Sequence, residues 1–112
     1  MSGFQAGDVV WLPFPFVEAA TFKSRPALVV AANVGVAGNL IWVFMITSTE
    51  RTAWPGDVLI DDHQAVGLPV PSTIRTAKIT ALEAASARCI GRIDTVTLAT
   101  VRSLLARYLD FQ

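Results

Sequence analysis

The chain has 112 residues, enough for one compact domain and too few for two of ordinary size. Apolar types make up 53% of it and charged types only 16%, more apolar than a single small core requires, so some apolar surface is expected to meet a partner. Nine basic and nine acidic residues leave no net charge, which excludes a simple basic protein that coats nucleic acid.

The charge is unevenly placed. Residues 1–62 carry Lys23, Arg25 and Arg51 against Asp8, Glu18, Glu50, Asp57, Asp61 and Asp62, a balance of −3, and residues 63–112 carry the opposite, +3. Such polarity either builds one positive face or cancels when the halves intertwine. Apolar runs such as Leu40 to Ile46 fall far short of the roughly 18–20 residues that cross a bilayer, so no membrane span is expected. The start, Met1-Ser2-Gly3-Phe4-Gln5, does not resemble a secretory signal, which predicts a cytoplasmic protein. The single cysteine, Cys89, has no disulfide partner within the chain and is expected to be a buried, inert thiol.

A series of β signals precedes one helix. Asp8 to Phe14 predicts a first strand, stopped by Pro13 and Pro15, which remove ladder donors. Residues 15–24 read as a loop. Arg25 to Ala32 restarts the sheet, and Asn33 to Asn39, with Gly35 and Gly38, supplies a turn. Leu40 to Ile46 has no polar alternation, which suits a strand buried on both faces, inside a barrel or under a dimer partner.

Residues 48–57 predict a second loop, Asp57 to Ile60 a short strand, and 61–72 an irregular segment. Ser72 to Leu82 reads as a long strand of imperfect alternation and Arg88 to Ile93 as a further short one. Asp94 or Thr95 then caps a helix, along which Leu98, Val101, Leu104, Leu105, Tyr108 and Leu109 form one stripe. The stripe must pack on the sheet, so the expected fold is mainly β: a small barrel, or a strongly curved antiparallel sheet, closed by an amphipathic C-terminal helix.

Two segments, Gly7-Asp8-Val9-Val10-Trp11-Leu12-Pro13-Phe14-Pro15-Phe16 and Lys23-Ser24-Arg25-Pro26-Ala27-Leu28-Val29-Val30, carry a resemblance to the MazF/PemK toxins. Met45-Ile46-Thr47-Ser48, Ser72-Thr73-Ile74-Arg75 and Ile90-Gly91-Arg92-Ile93-Asp94 extend it over nearly the whole chain. The resemblance implies an SH3-like barrel, a homodimer, metal-independent cleavage of single-stranded RNA, and neutralisation by a cognate antitoxin. It places the family's catalytic arginine at Arg25 and its threonine at Thr47. Some members follow an arginine two places on with an aspartate; here Arg75 is kept and Ala77 holds the acidic place.

Without a metal, the 2′-OH of RNA attacks the adjacent phosphorus, which requires proton removal, stabilisation of phosphoryl charge, and a proton for the leaving 5′ oxygen. The permanently charged, planar guanidinium of Arg25 suits the second task, and the Thr47 hydroxyl suits positioning. Glu18, Asp61 and His63 remain candidates for proton transfer. Lys23, Ser48, Arg75, Lys78 and Trp54 are the candidate RNA contacts. Basic residues on a strand edge also serve to block edge pairing, and Trp54 is as well suited to packing as to stacking on a base. Trp11, Phe14, Phe16 and Trp42 read as core or interface residues. Asp61-Asp62-His63 lacks further ligands at metal spacing, so neither metal nor cofactor is expected. Two rival functions stay open: a non-enzymatic toxin of the same fold that poisons a protein target such as gyrase, and a catalytically degenerate binding barrel.

Overall fold

The computed structural model describes residues 3–14 and 23–110 of the chain, and omits the side chains of Phe14 and Lys23. Six strands in the order β4-β5-β3-β2-β1-β6 form one antiparallel sheet. They are β1 (Asp8–Phe14), β2 (Lys23–Val34), β3 (Leu40–Ser48), β4 (Asp57–Leu59), β5 (Ser72–Glu83) and β6 (Arg88–Arg92), followed by α1 (Thr95–Tyr108). Of the two expected forms, this is the open antiparallel sheet and not a closed barrel, because β4 and β6 are its edges.

β2 and β3 are longer than their composition predicts because pairing extends them. Phe14 pairs with Lys23 at one end of β2, and Leu40 with Val34 at the other. The unbroken apolar run of β3 has a direct explanation, since the sheet is buried on both faces. Leu28, Val30, Phe44, Ile46 and Ile74 pack on one face with Leu98 and Val101 of the helix. Val10, Leu12, Ala27, Val29, Ile41 and Val43 pack on the other with Ala84. Alternation along β2 and β3 therefore feeds two cores instead of separating core from solvent.

The imperfect alternation of β5 also resolves. Its register on β3 jumps from Met45–Arg75 to Phe44–Ile79, so Thr76, Ala77 and Lys78 bulge from the ladder and change which way the side chains point. A short 3-10 turn, Ala84–Ser86, which the sequence pattern does not announce, links β5 to β6.

Two sequence expectations are corrected. Cys89 is exposed, because β6 is an edge strand that, among the described residues, pairs only with β1. The stripe of α1 is buried only at its start: Leu98 and Val101 are 8% and 0% exposed, whereas Tyr108 and Leu109 remain 50% and 46% exposed. Trp42 is half-buried against the helix-side core, as a packing residue should be. The segment 61–72 is irregular, yet Val66 and Leu68 enter the core. No helix among the described residues is long and apolar enough to cross a membrane.

Candidate functional site

The core on the side of the sheet away from the helix runs out at Ala27 and Met45, which pair across β2 and β3. Two residues further along each strand stand Arg25 and Thr47. By the period of two they lie on the same face as Ala27 and Met45, and both line a basin of about 200 Å³ together with Met45, Arg51, Trp54, Arg75 and Lys78. The basin draws Arg25 and Arg51 from the acidic half of the sequence and Arg75 and Lys78 from the basic half. Its positive character therefore comes from folding, not from the charge split along the chain.

Within the basin, Arg25 Nε is buried and has no hydrogen-bond partner among the described residues. A buried donor left unpaired costs about 1–3 kcal/mol, an expense that an anionic ligand would relieve. Thr47 is half-buried at the end of β3.

Arg75 is held differently. Its Nε and Nη2 donate to Asp57 Oδ1 and Oδ2 at 3.3 and 3.0 Å, and Nη2 also donates to the Thr52 carbonyl at 2.9 Å. The guanidinium lies over the Trp54 indole, 4.5 Å from its centroid, and Lys78 Nζ stands 5.5 Å from the same ring. Asp57 Oδ2 accepts from the Trp54 backbone N–H at 2.9 Å. Burial pushes the Asp57 pKa up, but the hydrogen bonds from Arg75 and from the Trp54 N–H, with the Arg75 charge, outweigh it and hold the carboxyl below its ordinary value of 3.8.

Of the residues expected at the site, Arg25, Thr47, Arg75, Lys78 and Trp54 converge. Ser48 does not: the next residue along β3 points to the opposite face, and its hydroxyl accepts from the Glu50 N–H at 3.1 Å. The side chain of Lys23, and Glu18 and Phe16 entirely, lie outside the described residues. Asp61, Asp62 and His63 are absent from the basin lining. Asp62 accepts from the Ala65 N–H at 3.2 Å, and the His63 carbonyl from Leu68 at 2.9 Å, so this stretch is turn structure. Among the described residues, no group of three or more His, Cys, Asp or Glu residues is placed to hold a metal ion.

Ala77 also lies elsewhere. It lines a separate groove with Phe44, Thr76, Ile79, Leu105 and Tyr108, so the bulge carries residue 77 away from Arg25. Met45 and Arg51 are the lining residues not among the sequence-based candidates, and Arg51 is the charged one. Its only sequence signal is its place just after β3, where a returning loop brings it over the strand end.

Fold and site together define a small antiparallel β protein with a cationic basin where its two central strands leave the core. Residues 5–109 match the family model for PemK-like, MazF-like toxins of type II toxin–antitoxin systems. The chain belongs to that family. It is similar to MazF in a MazE–MazF crystal structure from Deinococcus radiodurans, with TM-score 0.75, 29% identity and 96% of each chain covered. A second MazE–MazF crystal form from that organism gives TM-score 0.72 at 24% identity, again over 96% of each chain. The Mycobacterium tuberculosis toxin MazF-mt6 shares the fold at TM-score 0.69 and 17% identity, over 94% of this chain and 98% of that one. No curated protein matches the chain.

Proposed function

We propose that this toxin is a metal-independent endoribonuclease that cuts single-stranded RNA in the cytoplasm, works as a homodimer, and is neutralised by a cognate antitoxin. The observation that carries the reading is Arg25, whose buried Nε, without a partner among the described residues, lies in a cationic basin shared with Thr47. An incoming phosphodiester would take that hydrogen bond and gain charge stabilisation as its oxygens become more negative. Thr47 donates to a phosphoryl oxygen or orients the 2′-OH. Attack of the 2′ oxygen on phosphorus then expels the 5′ oxygen, leaving a 2′,3′-cyclic phosphate on one fragment and a 5′-hydroxyl on the other. MazF proteins crystallised with MazE, and an endoribonuclease of Mycobacterial species solved with its cognate antitoxin, support the partner reading.

The test is cleavage of single-stranded RNA by purified protein in excess chelator, with product ends identified by mass. Cyclic-phosphate ends that vanish in a folded Arg25→Ala variant are expected; intact RNA, or cleavage indifferent to that substitution, rejects the reading. One observation favours a second reading, a binding domain without catalysis: neither a carboxylate nor an imidazole lines the basin among the described residues. In that case the protein binds RNA or antitoxin and cuts nothing under any condition.

A further inference from the structure

The loop after β3 is tied down at three points by one ion pair. Asp57 takes both arms of the Arg75 fork and the N–H of Trp54, and Arg75 takes the carbonyl of Thr52. The two side chains are only 12% and 10% exposed. Attraction within so enclosed a pair is largely offset by desolvation, so stability alone is a weak reason for it. Its geometric effect is clear: Trp54, 39% exposed, is fixed at the mouth of the basin with two cations over its ring. Arg75 is thereby neutralised and held, leaving Arg25, Arg51 and Lys78 as the lining cations without an ion pair among the described residues.

We propose that Asp57 is a positioning residue for RNA recognition, fixing Arg75 and the 54–57 turn so that the Trp54 indole stacks one unpaired base beside Arg25 and Thr47. The proposal rests on the ribonuclease reading above. An indole on a slack loop would lose much of its stacking affinity to the entropy of ordering; here that ordering precedes binding. Stacking is tolerant of sequence but stronger for larger bases, so a fixed indole imposes a graded preference at one nucleotide. Arg75 acts as a clamp and not as a phosphate contact, which alters the role expected for it from the sequence.

The test gives the full chain and its Asp57→Asn, Trp54→Ala and Trp54→Phe variants a random pool of single-stranded RNA, maps the cuts by sequencing, and measures KM and kcat on the best-cut oligonucleotide. Asp57→Asn and Trp54→Ala are expected to raise KM about tenfold, within the range of one lost stacked base. Both leave kcat within about threefold, because the phosphate contacts made in the transition state remain. Both also lose preference at the same nucleotide of the cut motif, whereas Trp54→Phe keeps it. A merely structural Asp57 would lower stability without moving the motif. Unchanged KM and motif in Trp54→Ala overturn the stacking role; unchanged values in Asp57→Asn overturn the positioning role. Should Asp57→Asn fail to fold, Arg75→Lys, which keeps the charge and breaks the fork, reads the same contact by the same criteria. A wild-type chain that cuts nothing in the pool fails the ribonuclease reading and the proposal with it, whereas an active wild type with indifferent variants fails the proposal alone.

Discussion

Arg25 and Thr47 stand on adjacent antiparallel strands, each two residues beyond the Ala27–Met45 pair, and line one basin. Neither residue belongs to the two apolar cores, so substitutions here can be read for activity apart from core packing. Arg25→Ala is expected to reduce RNA cleavage by about 100-fold or more, the size of effect seen when a single donor to a developing oxyanion is lost. The melting temperature should stay unchanged or rise, since a buried unpaired donor is removed. Thr47→Ser, which keeps the hydroxyl, should retain far more activity than Thr47→Val. Cleavage time courses beside thermal melts check all three.

Gly91 predicts a sharp loss of stability. A Cβ there would lie 2.4 Å from the Val66 carbonyl oxygen, and one on Gly67 would lie 2.4 Å from that of Ile90, so two stretches of backbone touch with no room for a side chain. Overpacking of this kind costs about 1–3 kcal/mol. Gly91→Ala should unfold at a visibly lower denaturant midpoint, with its slope unchanged. A midpoint equal to wild type would mean that the segment 61–72 moves aside freely.

Acid should loosen the fold in a defined window. Asp94 accepts from the Thr97 N–H at 2.7 Å and its hydroxyl at 2.8 Å, and the backbone hydrogen bond, followed by the side-chain one, lowers its pKa below 3.8. Asp57 is lowered as well. A carboxyl whose folded pKa is depressed stabilises the fold above its unfolded value and loses that contribution as pH falls through the folded one. Melting temperature should therefore fall as pH drops below about 4, the carboxylate reference region. Asp94→Asn, which still caps but does not titrate, should show a shallower fall. An identical pH profile in the variant would remove Asp94 from this account.

A hydroxyl contact ties the last turn of α1 to β5. Thr76 Oγ1 donates to the Gly56 carbonyl at 2.7 Å, which leaves Tyr108 to donate to Thr76 at 2.9 Å. Tyr108→Phe should cost about 0.5–1.5 kcal/mol, the net worth of one such bond. It should also raise amide exchange in the final turn ahead of the rest of the helix. Uniform exchange along α1 would argue that the turn is held by packing alone.

Local pattern revealed much of this molecule, and long-range pairing supplied the remainder. β1 and the start of α1 are readable because proline, an oxygen-bearing cap and a periodic stripe act over a few residues. The outer ends of β2 are not, since Lys23 and Val34 become strand only through partners on β1 and β3. The exposure of Cys89 depends on β6 being an edge, a property of strand order that its neighbours in sequence do not encode. At the site, Arg25 and Thr47 stand out through the family resemblance. Asp57 looked like no more than the start of a strand until β5 returned with Arg75 beside it, and Arg51 had no pattern to mark it.

A strand pair buried on both faces leaves no middle ground for polar groups, so reactive side chains must sit where the strands end. Antiparallel pairing makes the beginning of β2 and the end of β3 neighbours, which turns that restriction into a meeting point. A slip of one residue between the two strands would carry Arg25 or Thr47 to the helix side and drive an apolar side chain into the basin. Correct alignment is thus rewarded twice, once by the cores and once by the basin, and a misaligned chain forfeits both together.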